Sequence, residues 1–176
     1  KCYKNLEWEW GYREIDVLGG NDIYSSSKAS AELLINSYIK SFFTPVEKVK
    51  IGVARAGNVI GGGDWAKDRL VPDIYRSWSK GNAVEIRSPS STRPWQHVLE
   101  PLSGYLTLAQ KLSYDDGLHS EAFNFGPNQD VDQSVLQLLK DLSRCWKTEN
   151  TTEMFVINDD VPFNEAKLLK LNCDKA

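Results

Sequence analysis

The sequence predicts an α/β fold in which a helix carrying Tyr24 and Lys28 leads into a buried strand and then a glycine-rich segment. Three observations carry this expectation. After Ser25 the apolar residues Ala31, Leu34, Ile35, Tyr38 and Phe42 recur at spacings of three and four, the period of an amphipathic helix. The β-branched run Val49-Lys50-Ile51-Gly52-Val53-Ala54-Arg55 follows and has the length of a buried strand. Helical and strand-like stretches then alternate to the end of the chain, the order expected of α/β units.

Each element has a local reason. Residues 1–23 are rich in Trp, Gly and charge without a steady period, and read as a loop with tight turns at Gly19-Gly20. The first helix spans Ser25 to Phe43 and is ended by Thr44-Pro45. Gly57 to Asp64 reads as a glycine-rich loop. Leu70 to Lys80 is expected to be helical with Gly81-Asn82 as its stop, and Ala83 to Arg87 a strand. Ser88 to Pro94 is a turn-rich loop. Val98 to Leu112 is a helix whose apolar face is read as Leu102, Tyr105, Leu106 and Ala109. Ala122 to Gly126 is a short strand, Val131 to Trp146 a helix, Met154 to Ile157 a strand, and Lys167 to Leu171 a weaker strand. There is no internal repeat and no low-complexity tract.

At 176 residues the chain fits one domain or parts of two. A formal charge of -3, with Lys and Arg scattered, argues against a nucleic-acid surface or an anionic membrane as partner. No apolar run reaches the length of a membrane span, and no signal-peptide core opens the chain, which favours a cytoplasmic location. Cys2, Cys145 and Cys173 lack CxxC spacing, so buried free thiols are expected rather than disulfides or zinc. The absence of an initiator Met, and an ending at Asn172 to Ala176 that resembles a helix start capped near Asp174, suggest a piece of a longer protein.

Tyr24 and Lys28 stand four residues apart, so on a helix they share a face. A cation beside a phenol stabilises the phenolate and lets the oxygen take and return a proton near neutral pH. The same spacing also suits an ordinary surface pair. Asn58 can be a ligand-facing amide or a turn asparagine satisfying its own backbone. Arg93 can grip a diphosphate through parallel hydrogen bonds or stack on Trp95. Arg69 has a similar but weaker claim, and His97 suits packing or a substrate hydrogen bond better than catalysis. His119 suggests no function, and with Glu100 three residues after His97 and no third ligand nearby, no metal site is expected. Gly61-Gly62-Gly63 matches neither a phosphate loop nor the G-x-G-x-x-G signature and reads as a mobile loop. Most of the six tryptophans are expected in a core or interface.

Taken together, Tyr24/Lys28, the run Ala54-Arg55-Ala56-Gly57-Asn58-Val59-Ile60-Gly61-Gly62-Gly63-Asp64-Trp65, Asp68-Arg69-Leu70-Val71-Pro72-Asp73, Thr92-Arg93-Pro94-Trp95-Gln96-His97-Val98, Glu100-Pro101-Leu102-Ser103-Gly104-Tyr105 and Asn124-Phe125-Gly126-Pro127 give the chain a likeness over nearly its whole length. It resembles the extended short-chain dehydrogenase/reductase enzymes, in particular the branch of sugar-nucleotide 4,6-dehydratases. The resemblance implies a Rossmann-like α/β fold. Residues 1–57 would be the C-terminal part of the dinucleotide-binding domain and residues 58–176 the nucleotide-sugar region, with 98–127 returning to the former.

It further implies an NAD-dependent lyase acting on CDP-glucose, working as a homodimer or higher homo-oligomer to which the helix Ser25–Phe43 contributes. Tyr24 would be the base, Lys28 its partner and a ligand of the nicotinamide ribose, and Lys1 the second member of the dehydration pair, whose aspartate partner would lie immediately before Lys1 and is not among these 176 residues. Arg55 would join Tyr24 and Lys28 at the cofactor. Asn58, Arg69, Leu70, Arg93 and His97 would bind substrate. Ile23 departs from the proline usual before the tyrosine. Two other readings remain: a 4-epimerase or reductase on the same scaffold, and a non-catalytic nucleotide-sugar-binding remnant.

Overall fold

The computed structural model describes residues 2–43, 49–128, 133–146, 154–158 and 167–176. Its elements in chain order are α1 (Ile23–Phe42), β1 (Val53–Ala56), β2 (Asn58–Ile60), α2 (Leu70–Trp78), β3 (Val84–Ile86), β4 (Trp95–His97), α3 (Leu99–Leu112), a 3-10 turn (Asp116–Leu118), β5 (Ala122–Phe125), α4 (Val135–Trp146) and β6 (Phe155–Ile157). The strands form three two-stranded ladders, β1–β5, β2–β4 and β3–β6, and all three are parallel. In register, Arg55 lies opposite Asn124, Asn58 opposite Trp95, and Val84 opposite Phe155.

α1 begins where Asp22 accepts a bond from the Ser25 amide at 2.9 Å while Ser25 reaches back to the Asp22 backbone, a reciprocal cap. The start is crowded, since a Cβ on Gly20 would fall 2.0 Å from Ser25 Oγ. Pro72 and Pro101 both sit in the first turn of their helices, where a missing N–H breaks no intrahelical bond.

β1 and β2 are nearly one strand, interrupted at Gly57. There the strand leaves β5 and takes β4 as its neighbour, and a Cβ on Gly57 would lie 2.6 Å from the Pro94 carbonyl oxygen. The Phe125 carbonyl accepts from both Gly57 N, at 2.9 Å, and Gln96 Nε2, at 2.8 Å, which ties the two ladders together. His119 ties the approach to β1 to the end of α1: Nδ1 accepts from Ile51 N at 3.2 Å and Nε2 lies 3.0 Å from the Phe43 carbonyl, and one neutral tautomer satisfies both.

Two apolar cores result. Ile74, Trp78, Val84, Ile86, Leu139 and Met154 pack α2, β3, α4 and the edge of β6 together, with Trp78 Nε1 donating to the Met154 carbonyl at 2.8 Å. Cys2, Tyr3, Tyr12, Leu169 and Leu171 join the two ends of the chain.

Several expectations are corrected. The strand anticipated at Val49–Arg55 begins only at Val53, and Lys167–Leu171 forms a single bridge from Leu171 to Tyr12 rather than a strand. Asn58–Ile60, read as loop, and Trp95–His97, given no element, are strands that pair with each other; neither run is long enough to show a period of its own. Of the apolar stripe expected to bury α3, only Tyr105 packs inward, edge-on against Phe125 at 5.5 Å, while Leu102, Leu106 and Ala109 are exposed. The helix turns Pro101, Gly104 and Leu108 inward instead, because only a glycine lets it approach Phe125, whose ring carbon lies 2.3 Å from where a Cβ would be. On α1 likewise Leu34, Tyr38 and Phe42 are exposed and Ser25, Ala29, Glu32 and Ile39 are buried. Cys2 is buried, but Cys173 is only half-buried and Cys145 is exposed. Trp78 is buried and Trp95 and Trp146 partly so, whereas Trp8, Trp10 and Trp65 are exposed. At the C-terminal end the Asp174 amide donates to Asn172 Oδ1 at 3.1 Å, an Asx turn with no helix following. Thr44-Pro45 lies outside the described residues. Among the described residues no helix is long and apolar enough to cross a membrane.

Candidate functional site

Tyr24 and Lys28 occupy the first two turns of α1, and the Lys28 ammonium nitrogen stands 5.6 Å from the centre of the Tyr24 ring. Tyr24 is half exposed, at 49%. Its spacing on the helix keeps the ammonium beside it. Ile23 is the first helical residue, the place where proline is favoured; the Asp22 cap starts the helix without one.

A second group of predicted residues meets at a cleft of about 230 Å³ at the junction of β2, the glycine run and α2. Asn58, Arg69 and Leu70 line it with the backbone of Gly61 to Gly63, and Trp65, Tyr75 and Trp95 supply its aromatic wall. Trp65 and Tyr75 meet edge to face at 5.4 Å. Arg76 holds this wall in place by donating to the Trp65 carbonyl at 2.8 Å and the Ala66 carbonyl at 3.1 Å, with Asp73 as its ion-pair partner. An amide, a guanidinium, exposed backbone N–H groups and flat rings together suit an anionic ligand that carries a planar group.

The other predicted residues lie elsewhere. Tyr24 and Lys28 do not line this cleft, nor do Arg93 and His97. Arg93 is half-buried and its Nη1 donates to the carbonyl of Thr92 at 2.8 Å. His97 is exposed at the end of β4 and its Nδ1 accepts the Leu99 amide at 3.3 Å, closing the start of α3. Lys1 lies outside the described residues.

Arg55 is the largest departure from expectation. Rather than facing an open site, it is buried in β1 and spends its donors inside the protein. Nε and Nη2 each bond Glu32 at 3.0 Å, and Nη1 bonds the Tyr3 hydroxyl at 2.8 Å and the Glu14 carbonyl at 3.0 Å. Burial by itself would lower the Arg55 guanidinium, but the bonds from Glu32 and Tyr3 outweigh it and hold the group above its ordinary value. Tyr3 in turn donates to Asn124 Oδ1 at 2.7 Å, and burial, opposed by those two partners, pushes its phenol up to about 12. Asn124 Nδ2 donates to the carbonyls of Tyr12, at 2.9 Å, and Asn172, at 3.0 Å. The network thus runs from α1 through β1 and β5 to both ends of the described chain.

Sequence reasoning missed Glu32 and the aromatic wall. Glu32 carries no sequence signal, because the apolar period of α1 marks a different face and only the fold sets this acid opposite Arg55. Trp65 and Tyr75 carry none either, because only the folding of the glycine run over α2 brings them together.

No protein-family model matches the chain. Along its whole length it is 48% identical to a CDP-glucose 4,6-dehydratase of Salmonella typhimurium, of which it covers 49%. Among solved structures, a UDP-glucuronic acid 4-epimerase from Bacillus cereus in complex with UDP-glucuronic acid and NAD superposes with a TM-score of 0.79 at 18% identity, over 99% of this chain and 52% of that one. A dTDP-glucose 4,6-dehydratase from Streptomyces venezuelae with NAD bound gives 0.76 at 17%, over 94% and 47%. The chain therefore has the Rossmann-like α/β fold of these dehydratases and epimerases, and spans about half the length of the Salmonella typhimurium relative.

Proposed function

We propose that this chain is the catalytic-helix and sugar-binding half of an NAD-dependent CDP-glucose 4,6-dehydratase, a lyase making CDP-4-keto-6-deoxyglucose for deoxysugar and lipopolysaccharide O-antigen synthesis in the cytoplasm. The observation that carries the reading is the half-exposed Tyr24 with the Lys28 ammonium 5.6 Å from its ring, in a sequence 48% identical throughout to such a dehydratase.

In this reading Tyr24 takes the proton of the sugar C4 hydroxyl. Lys28 places positive charge where the phenolate forms and offers N–H donors to the nicotinamide ribose. When bound, NAD would supply reversible hydride transfer, the redox chemistry needed for oxidation at C4 and, once water has left across C5 and C6, for reduction at C6. The exposed pair fits that cofactor's ribose. The 176 residues contain no G-x-G-x-x-G turn for its pyrophosphate, so the chain alone is expected to be inactive. Lys1 is assigned to the dehydration step.

Asn58, Arg69 and Leu70 are assigned to the nucleotide sugar, with Arg69 facing the diphosphate. Arg93, two residues before β4, and His97, at its end, are kept as substrate ligands outside the cleft. The exposed row Leu34, Tyr38 and Phe42 on α1 is the face through which a second copy is expected to pair, giving a homodimer.

The test is to supply the full-length protein that contains this chain with CDP-glucose and NAD and to assay for an alkali-absorbing 4-keto sugar. Its formation supports the dehydratase. Conversion to the C4 epimer instead identifies an epimerase, and tight binding of CDP-glucose without conversion identifies a binding module; either result overturns the proposal.

A further inference from the structure

The Arg55–Glu32 pair does more than fill a core. Glu32 is on α1 one turn beyond Lys28 and two beyond Tyr24, and among the described residues it is the one charged side chain that α1 buries. Arg55 is on β1, three residues before Asn58 of the cleft. Their carboxylate and guanidinium meet fork to fork, both bonds at 3.0 Å, and a planar fork of this kind restricts rotation as well as separation. A single-point charge contact would not.

The other anchors of α1 sit at its two ends: the Asp22 cap, the Ser26 bond to the Gly20 carbonyl and the close fit of Ser25 on Gly20 at the start, and His119 on the Phe43 carbonyl at the finish. Between them the inward residues Ala29 and Ile39 are apolar and tolerate slight rotation. A phenol oxygen stands roughly 7 Å from a helix axis, so a roll of about 10° moves it by about 1 Å. Misplacement on that scale can cost on the order of a hundredfold in rate.

We propose that the Arg55–Glu32 fork is a positioning device that sets the roll of α1, and with it the placement of Tyr24 and Lys28 relative to the Asn58–Arg69 cleft. Arg55 is thereby a positioning residue and not a ligand of the cofactor. The rest of the network supports this: Tyr3 and the Glu14 carbonyl hold the far side of the guanidinium, so the fork is anchored to β1 and cannot follow a rolling helix.

The kinetic arm of the test rests on the dehydratase reading; the spectroscopic arm does not. In the full-length protein, Arg55→Lys keeps the charge and loses the fork, and Glu32→Gln keeps the shape and loses the ion pair. A 3-fluorotyrosine placed at position 24 reports the phenol's surroundings by fluorine NMR. Ile86→Val, in the distant core around Trp78, serves as a control that lowers stability without touching α1.

Both fork variants should shift the fluorine resonance and lower kcat by tenfold or more, with KM within about twofold. Ile86→Val should leave both readouts unchanged. An unshifted resonance in Arg55→Lys and Glu32→Gln overturns the proposal, as does a kcat loss no larger than that of the control. A large rise in KM for NAD with the resonance unshifted would return Arg55 to cofactor binding. If the wild-type protein does not turn over CDP-glucose, the dehydratase reading fails while the fluorine shift still decides this one.

Discussion

Tyr3 donates its hydroxyl to Asn124 Oδ1 at 2.7 Å, joining residues 121 positions apart. Asn124 is completely buried and its amide also donates to two main-chain carbonyls, so one side chain satisfies the opening segment, β5 and the closing segment together. Replacing it with Ala leaves the Tyr12 and Asn172 carbonyls without this donor. Asn124→Ala is expected to destabilise the full-length protein by about 3 kcal/mol or more, read as a lowered denaturation midpoint with unchanged slope.

The same tyrosine predicts alkaline sensitivity. Its phenol is raised from 10.0 in the unfolded chain to about 12 when folded, so the folded state holds this proton more tightly. The associated stability is complete below pH 10 and falls as pH rises toward 12. Chemical denaturation between pH 9 and 12 should show this decline, and Tyr3→Phe should flatten it while lowering stability at neutral pH.

At the junction of the ladders, Gly57→Ala would place a methyl group 2.6 Å from the Pro94 carbonyl oxygen. Backbone must give way, at a cost of about 1–3 kcal/mol. Because β2 carries Asn58 and β4 carries Trp95, nucleotide-sugar affinity should fall as well, measurable by calorimetry.

Tyr24→Phe removes the one oxygen proposed to move the C4 proton and leaves the cleft intact. Turnover of CDP-glucose in the full-length protein should drop by at least a hundredfold with sugar-nucleotide Kd nearly unchanged. A wild-type rate in Tyr24→Phe would contradict the proposed mechanism.

Arg69 lines the cleft whereas Arg93 does not. Arg69→Ala is expected to weaken CDP-glucose binding by about 1.5–3 kcal/mol, the worth of a charge-assisted bond, and to steepen with falling salt. Arg93→Ala should weaken binding less. Equal losses would show that both arginines reach the diphosphate.

The helices were the most legible part of the fold: α1, α2, α3 and α4 lie within a few residues of the stretches marked by apolar period and stop signals. Their orientation was not. In α1, and in α3 apart from Tyr105, the regular apolar stripe faces outward and an irregular set faces in, since burial there is decided by what can fit, a glycine under Phe125 and an acid opposite a buried arginine. β2 and β4 were illegible because three residues define no period; each is a strand only because the other lies beside it.

At the site, residue order alone determined that Tyr24 and Lys28 share a face, because four residues on a helix always do. It likewise marked Asn58, Arg69 and Leu70, which the fold gathers into one cleft. Only tertiary structure decided the place of Arg55. A guanidinium three residues before a cleft-lining asparagine looks the same in sequence whether it points to solvent or to the interior. The choice is made by Glu32, Tyr3 and Glu14, which come from α1 and the opening segment and offer, in the folded state alone, the acceptors that a buried charge requires.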